Sequence, residues 1–263
     1  MSGEAAMGTG ARKAGEFCWI NVLTPNPAES KAWFSRVLGW TYADLGGMGD
    51  MIKVDGHQIG GLFDLNSPQT PPGTPPLIGV MVKTDDADAT VAKANSLGGT
   101  AKPAFDIMDS GRMAEIKDPS GAQIDVWQPK KNDGTDADKS KHGAPSWYEN
   151  YATDAAKAAK FYNELFGWTS EVMPMPGMEY TVFSFDGVQI AGMMGASEHT
   201  SGMPQIWATY FTVEDIDKTA ALATELGGSL FVPPMDIPNV GRFAGIASPQ
   251  GVKFFAMTYA RQQ

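Results

Sequence analysis

Two phrases in this chain repeat one pattern of ionisable residues. DIMDSGRMAEIKDPSGAQID runs from Asp106 to Asp125, and DIPNVGRFAGIASPQGVKFF from Asp236 to Phe255, with Asp-Ile, Gly-Arg, Ala, Ile, Pro and Gly shared in order. In each, an aspartate leads an arginine across a glycine-containing turn: Asp106 with Arg112, and Asp236 with Arg242. Such a pair either braces a strand connection or leaves a planar guanidinium fork for an anionic ligand. The first copy ends in a carboxylate and the second in a phenyl ring. Other reactive groups are sparse. Cys18 is the single cysteine, which excludes an internal disulfide framework and a cysteine-based zinc site. No histidine has an evident reason to lie beside it as the base of a thiolate nucleophile. His57 falls in a hairpin turn, His142 in a charged segment and His199 in a Gly/Ser/Thr loop. All three read as solvated surface groups rather than ligands. No phosphate-binding loop, dinucleotide glycine pattern or nucleic-acid motif occurs.

The doubled phrase belongs to a larger repeat. Trp19 and Trp147 lie 128 residues apart, as do Gly39-Trp40 and Gly167-Trp168; Asp55-Gly56 and Asp186-Gly187 lie 131 apart, and Gly111-Arg112 and Gly241-Arg242 130 apart. A shift that drifts so little over the whole length is a duplication with small loop insertions. Residues 130–143, KKNDGTDADKSKHG, are charged and small and read as a linker between domains at 15–129 and 144–263. Residues 1–14 read as a flexible tail without the apolar centre of a signal peptide. A net charge of −10 over 263 residues, without a Lys/Arg cluster, argues against nucleic acid or an anionic membrane as partner. No apolar run approaches a membrane span, and a cytoplasmic location is expected.

The elements that must position these groups follow one cycle. FCWINVL reads as a strand, and NPAESKAWFSRVLGW as a helix with Asn26 as N-cap and Gly39 as its stop. DMIKV and QIGGLF follow as strands around the Asp55-Gly56 hairpin turn. LIGVMVK then restarts the cycle with a helix over DDADATVAKANSLGG and the strands AKPAF, RMAEIK and QIDVWQ. The second half repeats both cycles. The expected fold class is α+β: two tandem domains, each a pair of βαβββ units forming an open, curved mixed sheet around a cavity with helices outside.

This order, with the aromatic pairs Trp33-Phe34 and Phe161-Tyr162 late in the first helix, Gly-Trp after it and a turn such as Asp118-Pro119-Ser120-Gly121 before the last strand, resembles the vicinal-oxygen-chelate superfamily of glyoxalase I, extradiol dioxygenases and bleomycin-resistance proteins. The resemblance covers nearly all of both halves, and the tandem arrangement is similar to two-domain glyoxalase-like proteins. It implies a divalent ion held by His and Glu on inner strand faces. At the implied positions this chain has Trp19 and Trp147, then Gly79 and Ala208, then Asp125 and Phe255, while QIGGLF and VQIAGMM offer no acid. An indole is no ligand, so only Asp125 is retained and the expected cofactor is none, with a divalent metal as the alternative.

If Trp19 holds a ligand position, strand alternation turns Phe17, Trp19 and Asn21 to the cavity, with Cys18, Ile20 and Val22 under the helix. Trp147, Glu149 and Tyr151 form the equivalent face, with Asp125 and Trp127, and Phe255 and Met257, on the last strands. These rings either wall a small-molecule pocket or fill the core. Asp125 and Glu149 are the candidates for acid–base chemistry, against an internal salt bridge or a wet pocket mouth. Arg112 and Arg242 are the candidate anion forks, and the methionines of MPMPGM and GMM a candidate adaptable wall. Three functions fit: a metal-free protein binding a small hydrophobic or aromatic ligand; a glyoxalase-like or related enzyme acting on a reactive carbonyl; or an interaction protein. The chain is expected to be a monomer of paired domains or a homodimer.

Overall fold

β-branched and aromatic runs make the strands, and polar-capped runs between them make the helices. The structure, a computed structural model, describes residues 11–175, 178–196 and 204–260. The first half runs β1 (Phe17–Thr24), α1 (Pro27–Leu38), β2 (Thr41–Asp44), β3 (Asp50–Val54), β4 (His57–Asp64), β5 (Leu77–Lys83), α2 (Ala87–Ser96), β6 (Thr100–Ala101), β7 (Phe105–Ile107), β8 (Gly111–Lys117) and β9 (Gln123–Pro129). The second half runs β10 (Pro145–Tyr151), α3 (Ala155–Phe166), β11 (Thr169–Met175), β12 (Met178–Phe185), β13 (Val188–Met194), β14 (Trp207–Thr212), α4 (Ile216–Glu225), β15 (Ser229–Ile237), β16 (Gly241–Ala247) and β17 (Lys253–Tyr259). β6 and β7 both pair with β8 and stand where the second half has the bulged strand β15. Pro103 in one copy, and Pro233 and Pro234 in the other, remove ladder donors at that place.

Local signals explain the boundaries. Asn26 accepts a hydrogen bond from Glu29 N–H ahead of α1, and Asp154 one from Lys157 N–H ahead of α3; both helices stop on left-handed glycines, Gly39 and Gly167. Asp55 (φ 51°) and Gly56 (φ 84°) are both left-handed, as are Asp186 and Gly187, the geometry a two-residue hairpin turn requires.

Each half makes one mixed sheet. The first has nine strands in the order β2-β3-β4-β1-β5-β9-β8-β6, with β7 also on β8; the second has eight in the order β11-β12-β13-β10-β14-β17-β16-β15. Antiparallel pairs β1/β5 and β10/β14 join the two units of each half, while β1/β4, β5/β9, β10/β13 and β14/β17 are parallel. The helix-bearing faces of both sheets turn toward each other and share one core. Phe17 stacks on Tyr148 at 3.8 Å, Trp33 meets Phe254, and Trp40 meets Phe211. The helices therefore lie outside each sheet but between the two halves.

The repeated Gly-Trp acquires a role here. Trp40 Nε1 donates to the Gly143 carbonyl at 2.8 Å, and Trp168 Nε1 donates to the Gly15 carbonyl at 2.6 Å. Each indole thus latches the segment that leads into the other half. Gly143 has φ 82°, and a Cβ there would lie 2.0 Å from the Leu38 carbonyl, so the close approach needs glycine. A buried polar chain adds to the seam: Trp207 Nε1 donates to Tyr162 Oη, which donates to Asp118 Oδ2 at 2.8 Å. Asp118 Oδ1 meanwhile accepts the N–H groups of Ser120, Gly121 and Ala122. Tyr162→Phe strands both partners in the core, and we expect a loss of about 1–3 kcal/mol. Thermal unfolding followed by circular dichroism checks this as a fall of about 2–4 °C in Tm per kcal/mol lost.

Candidate functional site

A β-bulge decides which residues leave the shared core. The register of β1 on β5 shifts between Phe17 and Trp19, so one residue breaks the alternation. Phe17 consequently points into the core, while Cys18 and Trp19 cluster with Met81 and Trp127 on the helix-free face. This corrects the expectation that Phe17 lines the cavity and Cys18 lies under the helix. Beyond the bulge, Trp19 Nε1 donates to Asn21 Oδ1 at 3.1 Å, and Asn21 Nδ2 donates to Met81 Sδ at 3.7 Å. Burial pushes the Cys18 thiol up to about 12, which leaves it unreactive as a nucleophile.

Asp125 stands on this face beside Met81 of β5 and opposite Glu115 of β8. Burial raises its carboxyl to about 7; the hydrogen bond from Gln123 Nε2 (3.0 Å) and the charge of Lys102 oppose the rise, and the Glu115 charge adds to it. Trp127 donates to the Asn132 carbonyl at 2.8 Å, and a Cβ at Gly111 would lie 2.3 Å from its indole. Residues 130–143 do not hang free. Gln58 Nε2 donates to Asn132 Oδ1 and the Gly134 carbonyl, and Thr135 N–H donates to the Cys18 carbonyl. The segment between the sheets packs against one end of the first sheet's helix-free face.

The second half places its acid elsewhere. Where the first copy has Asn21, the second has Glu149, flanked by Trp147 and Tyr151 on β10. Tyr180 Oη donates to Glu149 Oε2 at 2.8 Å, and Trp147 Nε1 is shared between Oε2 (3.3 Å) and Tyr180 Oη (3.2 Å). Glu149 Oε1 is buried and, among the described residues, has no hydrogen-bond partner. Glu149 is 2% exposed, and burial pushes its carboxyl up to about 8 against the pull of Tyr180 and Trp147. Its charge in turn helps burial hold the phenols of Tyr151, Tyr180 and Tyr210 well above their ordinary range. Around it the helix-free face is aromatic: Tyr210 stacks on Phe255 at 4.6 Å, with Phe243, Phe231, Met257 and Trp147 alongside.

Arg112 and Arg242 do not join either face, which corrects their reading as ligand forks. Arg112 grips Asp88 on α2 with two bonds of 2.8 and 2.9 Å and reaches Asp106 at 3.3 Å; Arg242 grips Asp217 on α4 and reaches Asp236 likewise. Alternation sends Met113 and Trp127 one way and Arg112 the other, toward the helices. The repeated Asp-Arg is a strut that extends to the neighbouring helix. We expect Arg242→Ala to leave ligand affinity unchanged within twofold, as fluorescence titration would show.

His57 is half exposed and meets Asp136 at 3.0 Å. His142 departs from the solvated reading: its Nδ1 accepts from Glu214 N–H and its Nε2 donates to the Val37 carbonyl, across the seam between the halves. His199 and part of MPMPGM lie outside the described residues. A groove of about 480 Å³ beside His57, lined by Met51, Lys53, Gln58, Asp133, Gly134 and Asp136, is polar and separate from both buried acids.

The divalent ion implied by the resemblance does not fit this donor set. Among the described residues no three His, Cys, Asp or Glu side chains come close enough to share an ion. Gly79 lies opposite Asn21, Ala208 lies opposite Glu149, and Glu115, the carboxylate beside Asp125, is paired with Lys102. Inspection of the sequence missed Tyr180 and Gly192. A Cβ at Gly192 would lie 1.9 Å from Tyr180 Oη and 3.1 Å from Glu149 Oε2, so this glycine makes room for the Tyr180–Glu149 bond. The only signal was a glycine repeated at Gly61 and Gly192 in the corresponding strands of the two halves. Among the described residues no helix is long and apolar enough to cross a membrane.

Comparison with known proteins agrees with the architecture. The sequence profile of the Glyoxalase/Bleomycin resistance protein/Dioxygenase superfamily matches residues 17–126 and 146–254. The chain is 34% identical over 252 residues to the Mycobacterium tuberculosis protein named "Putative glyoxylase CFP32", covering 93% of this chain and 95% of that one. It is 29% identical over 251 residues to the "Anthracycline biosynthesis protein DauV" of Streptomyces sp. strain C5, covering 90% of each. The Mn(II)-bound glyoxalase of Novosphingobium aromaticivorans superposes with a TM-score of 0.65 at 14% identity, covering 94% of this chain and 82% of that one, a likeness of fold. Two profile matches across two sheets of matching strand order lead to one conclusion: the chain belongs to the Glyoxalase/Bleomycin resistance protein/Dioxygenase superfamily, with two tandem domains.

Proposed function

We propose that this protein binds a small aromatic molecule without a metal ion, on the helix-free face of its second domain. The observation that carries the reading is Glu149, a buried carboxyl among aromatic rings with one oxygen unpartnered among the described residues. A buried polar atom without a partner costs about 1–3 kcal/mol and calls for an explanation. A ligand group that engages Oε1 supplies one. Flat rings such as Phe243, Phe255 and Trp147 suit stacking on a planar guest. The name of the Streptomyces relative, which concerns anthracycline biosynthesis, is consistent with such a guest.

Titration of intrinsic tryptophan fluorescence with 2-ethylnaphthalene tests the reading. Trp147→Ala is expected to weaken binding at least tenfold and Trp19→Ala to leave it within twofold. If neither change matters, the rings are core and the proposal fails.

A catalytic reading has one observation in its favour: two buried carboxyls, Asp125 and Glu149, raised to about 7 and about 8, where either gives or takes a proton near neutrality. The mycobacterial relative's name points the same way. Hemithioacetal isomerisation by chelator-treated protein, lost in Glu149→Gln, would establish it.

A further inference from the structure

We propose that the second-domain site is selective for an aromatic carbonyl compound, a ketone, aldehyde or quinone, whose oxygen accepts a hydrogen bond from Glu149 Oε1. The proposal rests on the aromatic-binding reading above and narrows it to a class of ligand.

The direction of the hydrogen bond follows from the partners of the other oxygen. Tyr180 Oη, itself accepting from Trp147 Nε1, has its proton free for Glu149 Oε2, and Trp147 also points there. Oε2 is therefore the accepting, carbonyl-like oxygen. A carboxyl buried this deeply, with no cation acting on it, is held neutral near pH 7. Its proton then has one place to sit, on Oε1, and Oε1 is the atom without an acceptor. The groups facing Glu149 from the surrounding strands are uncharged: Tyr151 on its own strand, Tyr180 on β12, Gly192 on β13, Ala208 and Tyr210 on β14. A neutral acid in such a setting recognises an acceptor, and the apolar rings around it favour an uncharged ligand. Trp147 and Tyr180, which border the acid, are both only partly buried.

The first domain lacks this arrangement. Asn21 stands in place of Glu149, and its Oδ1 is already engaged by Trp19 Nε1. Its own acid, Asp125, accepts from Gln123 beside the charged Glu115–Lys102 pair. The chemistry that selects a carbonyl is confined to one of the two copies.

Three naphthalenes of closely matched shape test this on the full-length protein at pH 7. 2-Acetylnaphthalene carries an acceptor, 2-ethylnaphthalene carries none, and 2-naphthol brings its own donor. We expect the acetyl compound to bind about tenfold more tightly than the ethyl compound, and its C=O stretch to shift to lower frequency on binding. Glu149→Met is expected to abolish the preference and the shift. Should that variant fail to fold, the infrared shift in the wild-type protein decides. In the wild type, raising the pH past about 8 is expected to erode the acetyl preference while ethylnaphthalene binding holds. Equal affinity for the acetyl and ethyl compounds overturns the carbonyl proposal and leaves the aromatic-binding reading standing. Tighter binding of 2-naphthol than of the ketone overturns it too, since that ranking marks Oε1 as an acceptor. Binding of none of the three overturns both.

Discussion

Replacing Gly192 by alanine is expected to abolish ligand binding and to lower stability. The new Cβ would meet Tyr180 Oη at 1.9 Å and Tyr180 Cζ at 2.4 Å, inside any tolerable contact. Tyr180 has to leave, and Glu149 Oε2 loses its shortest donor. Overpacking of this kind costs roughly 1–3 kcal/mol, and a buried acceptor left unpaired roughly 1–3 kcal/mol more. The diagnostic is a double-mutant cycle with Tyr180→Phe, which removes the hydroxyl nearest the added methyl. The two changes should combine to less than the sum of their separate costs by at least about 1 kcal/mol. Additive losses measured by thermal or urea unfolding would mean that Tyr180 is not where the added methyl acts.

The second large effect is on the pH dependence of stability. Asp125 and Glu149 are raised by burial to about 7 and about 8, from ordinary values of 3.8 and 4.5. The sign is set by which state keeps the proton. Between the ordinary and the raised values the folded chain holds these protons and the unfolded chain has released them. Stability therefore falls as pH rises, by up to about 1.4 kcal/mol per pH unit for each group. Their neutral forms are at full strength below about pH 4, and that contribution is lost as pH climbs through 7 and 8. Glu149→Gln keeps the shape without the ionisation, so it should flatten the decline between pH 6 and 9 and unfold at a higher temperature than the wild type at pH 9. Thermal melts across that range check this. A wild-type profile that rises over pH 6–9, or one that Glu149→Gln leaves unchanged, would contradict the buried, uncompensated state of the acid.

Much of the fold was legible in the sequence because its signals are local or periodic. Asn26 and Gly39 delimit α1, and Asp55-Gly56 forms its hairpin turn. The shift of 128 to 131 residues carries that reading to the second half. What failed was any inference that required strict alternation or knowledge of distant neighbours. The bulge at Cys18 exchanged the faces of Phe17 and Cys18, and no residue type near it announces the extra residue. The Asp106–Arg112 spacing was visible, but the stronger partner, Asp88, comes from a helix whose position depends on the whole sheet. Asp125 and Glu149 were visible as acids on inward strands. Tyr180 was not, because it lies 31 residues from Glu149 and meets it only through the β12–β13–β10 pairing. The reciprocal Trp40 and Trp168 latches were likewise hidden in a motif that reads locally as a helix stop.

We propose a binding site in the second domain that works without a metal. Calorimetric titration of 2-acetylnaphthalene into protein dialysed exhaustively against chelator, before and after adding back Mn, Zn, Ni or Fe, measures this most directly. The expected result is one site per chain with an affinity unchanged by any of the metals and lost in Glu149→Met. Binding that appears only when a metal is restored would contradict it.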